Sequence, residues 1–110
     1  MNADYAEIEP LRAEIDALDE PLLLEFGAPW CTHCQAAQPL IAAALSAHSP
    51  LRRIKVEDGQ GRPLGRSFRV KLWPTLIFMR HGQEIDRLVR PADAAAIEQA
   101  LAKIDDGGQA

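Results

Sequence analysis

The chain has 110 residues, 47% hydrophobic and 25% charged, which is the size and composition of one soluble domain with an ordinary core. With 12 Lys and Arg against 16 Asp and Glu, it lacks the basic excess that phosphate recognition uses, so nucleic acid is not expected as a partner. No apolar run approaches the roughly 20 residues of a membrane helix, and two cysteines three positions apart cannot staple a secreted disulfide scaffold.

In chain order, residues 1–8 read as a tail with a short edge strand over 5–8. Pro10 fits the first turn of a helix, where its missing N–H is no loss. Leu11, Ile15 and Leu18 share one face of that helix, and Pro21 closes it. Residues 22–26 form a continuous apolar strand broken only by Glu25, the pattern of a strand covered on both sides. Gly27-Ala28-Pro29 ends it. A helix begins at Cys31 or Thr32 and runs to about Ala47, with Ala37, Leu40, Ile41, Ala44 and Leu45 as its apolar stripe. Pro39 inside it predicts a kink, and His48-Ser49-Pro50 stops it.

Residues 51–56 read as a strand, 58–61 as a turn and 63–69 as a short helix. Residues 75–79 are a strong buried strand. His81-Gly82 turns the chain, and residues 84–89 return antiparallel. Residues 93–103 form the last helix, with Asp93 as N-cap and Ile97, Leu101 and Ile104 facing inward. Residues 105–110 are expected to be disordered. The sum is one α/β domain over residues 1–110, with its core at about 8–104. A mixed sheet of four to five strands carries helices on both faces.

The chemistry concentrates at Cys31-Thr32-His33-Cys34. A cysteine at a helix start faces backbone N–H groups that have no helical partner, and the helix dipole adds positive potential. Both favour thiolate at Cys31, the species that attacks a disulfide. Spacing of three puts Cys34 one turn later on the same face. There it can resolve a mixed disulfide, and it is expected to be the more buried, protonated member. His33, if protonated, depresses the Cys31 pKa further and moves the couple toward oxidant; as an exposed rim histidine it has little effect. Zinc would need two further Cys or His ligands. Only His33, His48 and His81 are on offer, and no second close pair exists, so no metal is expected.

Trp30-Cys31-Thr32-His33-Cys34 resembles the Trp-Cys-x-x-Cys active site of the thioredoxin family. Glu25, six positions before Cys31, stands where that family holds a buried aspartate. Pro39 matches its helix-kinking proline, Trp73-Pro74-Thr75 its cis-proline segment, and Gly82 its hairpin glycine. The resemblance covers about residues 8–104 and implies a thioredoxin fold and a thiol–disulfide oxidoreductase without cofactor, more reductase than oxidase. In that reading Cys31 is the nucleophile, Cys34 the resolving thiol and Glu25, its pKa raised by burial, the acceptor of the Cys34 proton. Glu25 has a plainer reading as an ion-pair partner of Arg53 or Lys55. Trp30, Trp73 and a cis Pro74 would bind an extended substrate segment, Trp30 and Trp73 otherwise being packing residues.

Departures from the family pattern are also on view. Thr32-His33 replaces Gly-Pro, Gly27 replaces a tryptophan, and Arg90-Pro91 replaces the Gly-Ala pair of the substrate groove. The implied partners are disulfide-containing proteins and an electron donor, thioredoxin reductase or another dithiol. An acidic start without basic residues implies a cytoplasmic protein, and the size a monomer. The alternative function is a non-catalytic binding or redox-sensing module for one partner.

Overall fold

The computed structural model describes residues 4–48 and 50–105. The apolar run becomes β1 (Leu22–Gly27), buried at all six positions. It is flanked by β2 (Arg52–Glu57) in parallel and β3 (Thr75–Arg80) antiparallel, and β4 (Gln83–Val89) pairs antiparallel with β3. The order β2-β1-β3-β4 makes a mixed sheet of four strands, with β1 and β3 central. Four helices complete the chain: α1 (Arg12–Asp16), α2 (Thr32–Ser46), α3 (Pro63–Ser67) and α4 (Ala94–Ile104). This is the expected succession of elements and the expected α/β sandwich.

Period-two alternation explains why β1 had to be apolar on both sides. Leu23 joins Leu76 and Phe78 under α2 and α4, where Ala37, Ile41, Ala44, Ile97, Ala100, Leu101 and Ile104 meet them. Leu22, Leu24 and Phe26 face the other way, with Ile77 and Met79, onto Ile15 of α1 and Leu64 of α3. Each such Leu, Ile or Phe contributes about 1.5–3 kcal/mol by leaving water. Glu25 lies on the α2 side of β1, two residues from Leu23.

Three details differ from the sequence expectation. The edge strand over 5–8 is reduced to one bridge, Tyr5 to Lys55, with the Ala6 N–H donating to the Lys55 carbonyl at 2.8 Å. Beyond it the chain bends into solvent, leaving Ile8 85% exposed, so no ladder can continue. Helix α1 begins after Leu11 because the Glu14 carboxylate caps the Leu11 N–H at 2.8 Å. Pro10 therefore lies outside it. The helix ends at Asp16, well before Pro21. Helix α3 stops at Ser67, and Arg69 takes a positive φ of 59° in the following turn.

Other boundaries move by one residue. Helix α2 passes through Pro39 and ends at Ser46. Asp93 caps α4 by accepting the Ala96 N–H at 2.9 Å. Gly82 turns the β3–β4 hairpin at φ 73°, where a Cβ would collide with the Asp16 carbonyl. The disordered tail expected at 105–110 lies, from 106 onward, outside the described residues, as does Ser49 in the stop signal after α2.

Candidate active site

Cys31 is the N-cap of α2. Its backbone is extended (φ −79°, ψ 117°), and its sulfur accepts the Cys34 N–H at 3.2 Å. That is the place of a serine or aspartate oxygen in an ordinary cap, occupied here by a thiol sulfur. A bond of this kind strengthens when the acceptor carries charge. Cys34, one turn on, is 2% exposed against 7% for Cys31, and both are free thiols. Burial pushes the Cys34 thiol up to about 12, helped by its hydrogen bond to Cys31 and opposed by a backbone hydrogen bond from Ala28. The two sulfurs are thus unequal: one at the rim of the molecule, one behind it and held neutral.

Trp73 packs against the Ala28, Cys31 and Cys34 cluster and meets Trp30 edge-to-face, ring centroids 5.4 Å apart. Trp30 is 68% exposed, whereas the Trp73 indole N–H is fixed by Asp58 Oδ2 at 2.8 Å. The Trp73–Pro74 peptide is cis, as the resemblance implies, and Pro74 is buried at the entry to β3. Arg90 Nε donates to the Trp73 carbonyl at 2.8 Å, and the Arg90 N–H to the Pro74 carbonyl at 3.0 Å. His33 is exposed on the first turn of α2 and borders a hollow of about 230 Å³ with Leu40, Arg90 and Pro91.

A polar network lies behind Cys34. Parallel pairing sets Glu25 beside Lys55 and Leu23 beside Arg53, so the three polar side chains share the α2 face of the sheet. Glu25 is fully buried. Its Oε1 accepts from Arg53 Nη2 at 2.8 Å and its Oε2 from Gln38 Nε2 at 2.8 Å. Gln38 also donates to the Cys34 carbonyl at 3.0 Å, and its Oε1 accepts from Arg53 at 3.0 Å and Lys55 at 3.3 Å. Burial pulls the Lys55 pKa below its ordinary value, against the attraction of Glu25. The plain reading of Glu25, an ion pair with Arg53, is therefore present, and its charge is felt at the Cys34 thiol, whose pKa it helps to raise.

The structure thus brings Cys31, Trp30 and Trp73 together, with Cys34 and Pro74 beneath them, Glu25 behind and His33 at the edge. Gln38, and Tyr5, which shares a hollow with Cys34, Gln38 and Lys55, were missed. Gln38 follows Cys34 by four positions, one helical turn on the same face, which was a readable signal. Among the described residues no group of three or more His, Cys, Asp or Glu side chains could hold a metal ion.

The thioredoxin family model matches residues 6–103. The chain belongs to the thioredoxin family. Among solved structures it is similar to reduced thioredoxin 2 from Pseudomonas aeruginosa, at 51% identity and TM-score 0.84, covering 94% of this chain and 96% of that one. A thioredoxin from Porphyra purpurea is 25% identical over 94% of this chain and 97% of its own length. Human protein disulfide-isomerase A2 is 41% identical over 86 residues, which is 73% of this chain and 16% of the isomerase. The chain spans about a fifth of the maize disulfide isomerase it matches, at 32% identity over 84% of this chain and 21% of the isomerase. Family membership together with a cysteine pair in the active-site position supports a thiol–disulfide oxidoreductase.

Proposed function

We propose that the chain reduces disulfides of protein substrates, with Cys31 as nucleophile and Cys34 as resolving thiol. The observation that carries this is the inequality of the two sulfurs. One caps α2 and receives an N–H; the other is buried and kept as thiol. The Cys31 thiolate attacks one substrate sulfur, forms a mixed disulfide and expels the other sulfur as thiolate. Cys34 then gives up its proton and attacks Cys31 Sγ. The Cys31–Cys34 disulfide forms and the substrate leaves as its second thiolate. Glu25, through a water, is the acceptor of the Cys34 proton. Trp30 and Trp73 form the platform on which an extended substrate lies, and the backbone before Pro74 pairs with it. His33 tunes the poise of the couple.

No cofactor is needed. Electrons come from thioredoxin reductase or another dithiol donor, and the protein works as a cytoplasmic monomer. The reduction potential of the Cys31–Cys34 couple, equilibrated with glutathione and a reference thioredoxin, tests the direction. The proposal expects a value near the ~−270 mV of thioredoxin. A value in the range of about −180 to −120 mV would overturn the reductase reading in favour of isomerase or oxidase chemistry.

A second reading, a binding or redox-sensing module for one partner, draws on Arg90. Its guanidinium already occupies the Trp73 carbonyl that a substrate strand would use. A partner complex that survives loss of both thiols would favour it.

A further inference from the structure

Position 27 carries no side chain where the family pattern has a tryptophan, and the space is used. A Cβ on Gly27 would fall 2.5 Å from Cys34 Sγ and 3.2 Å from the Tyr5 hydroxyl. Both atoms therefore face one spot above the end of β1. Tyr5 is brought there by its bridge to Lys55 on β2, and Lys55 Nζ lies 4.4 Å from the centre of its ring. A cavity of about 240 Å³ opens beside the contact, lined by Tyr5, Cys34, Gln38 and Lys55.

We propose that Tyr5 takes part in the resolving half-reaction: its hydroxyl donates a hydrogen bond to Cys34 Sγ and stabilises the thiolate formed as Cys34 attacks the mixed disulfide. This rests on the thiol–disulfide exchange proposed above. The hydrogen-bond inventory is consistent with it. The Cys34 sulfur accepts through its lone pairs, and the Ala28 backbone and the Tyr5 hydroxyl are the groups set against it.

A phenol is a suitable donor because it does not give up its proton here. Burial and the neighbouring Cys34, Glu25 and Cys31 all raise the Tyr5 pKa above its ordinary 10.0. Lys55 is the cation against its ring. Asp4, its chain neighbour, shares the rim of the cavity. During resolution the Cys34 proton goes to Glu25, the Cys34–Cys31 bond forms, the Cys31–substrate bond breaks and the substrate departs as thiolate. Tyr5 stays protonated throughout and supplies only the hydrogen bond. Gly27 is required for this arrangement, since any side chain there would part the two atoms.

The test is Tyr5→Phe, which keeps the ring against Lys55 and removes the hydroxyl. The probe is dithionitrobenzoate, which releases one coloured thiolate when Cys31 attacks and a second when Cys34 resolves. The expected result is an unchanged first release and a second release slowed about ten-fold, the scale of one charge-assisted hydrogen bond. The pH profile of the second release moves upward as well. Tyr5 is the only tyrosine of the chain. Tyrosinate absorbance therefore reports it alone, and its titration is expected at lower pH in the oxidised protein than in the reduced one. Two releases at wild-type rates with unmoved pH profiles would overturn the role of Tyr5 while leaving the exchange reaction intact. A wild-type protein with no second release would overturn both.

Discussion

Glu25→Gln is the sharpest perturbation of the network behind the cysteines. In the wild type, Glu25 and Gln38 offer three side-chain oxygens to Arg53, Lys55 and the Gln38 amide. Replacing one carboxylate oxygen by NH₂ sets a donor against a donor and leaves Arg53 without its countercharge. Removing one member of a buried pair costs about 3–5 kcal/mol. The low end, about 3 kcal/mol, applies because the Arg53 side chain keeps 12% exposure and can recover some water. For a domain of this size that lowers Tm by roughly 12 °C, at about 4 °C per kcal/mol. The assay is thermal unfolding of the reduced protein by circular dichroism. A paired variant, Glu25→Leu with Arg53→Met, removes the ion pair as a unit and is expected to return to within about 1 kcal/mol of wild type. Its resolving step stays slow because no carboxylate remains to take the Cys34 proton. A Glu25→Gln melt within about 3 °C of wild type, less than about 1 kcal/mol, would refute the reasoning.

Two further outcomes follow from the same geometry. The Cys34 thiol is raised from its ordinary 9.0 to about 12, so between those values the folded state binds more protons than the unfolded state. The contribution is full below pH 9.0 and is lost as pH rises through about 12. The urea midpoint of the reduced protein should therefore fall above pH 9.0, and Cys34→Ser should remove that part of the slope; an identical slope in the variant would contradict the assignment. Arg90→Ala frees the Trp73 carbonyl for a substrate N–H and is expected to lower KM for a disulfide-bearing peptide about five-fold, the worth of one ordinary hydrogen bond. An unchanged or higher KM would show that Arg90 does not compete with substrate.

Much of this was legible in the sequence because the signals were local. The apolar run of β1, the Asp93 cap and the helix start at Cys31 each declare themselves within a few residues. The plain reading of Glu25 left Arg53 and Lys55 both open as partners; the β1–β2 register brings both to its face of the sheet, and the hydrogen bonds select Arg53. Tyr5 carried no signal of its own. What was visible was its counterpart, a missing side chain at Gly27, and a hole in a pattern does not say what fills it. The edge strand over 5–8 is cut to one bridge because beyond Ala6 the chain turns away from β2, which four residues of sequence do not show. The start of α1 was set by a carboxylate three residues into the segment rather than by Pro10.

The central claim is that Cys31 is the nucleophile of a disulfide reduction. The most direct measurement is the rate at which the protein, with dithiothreitol as electron donor, reduces an exposed disulfide of a protein substrate, in wild type and in Cys31→Ser. The account predicts acceleration by the wild type, background rate for Cys31→Ser, and a trapped mixed disulfide on Cys31 in Cys34→Ser. A Cys31→Ser protein that reduces the substrate at the wild-type rate would contradict it.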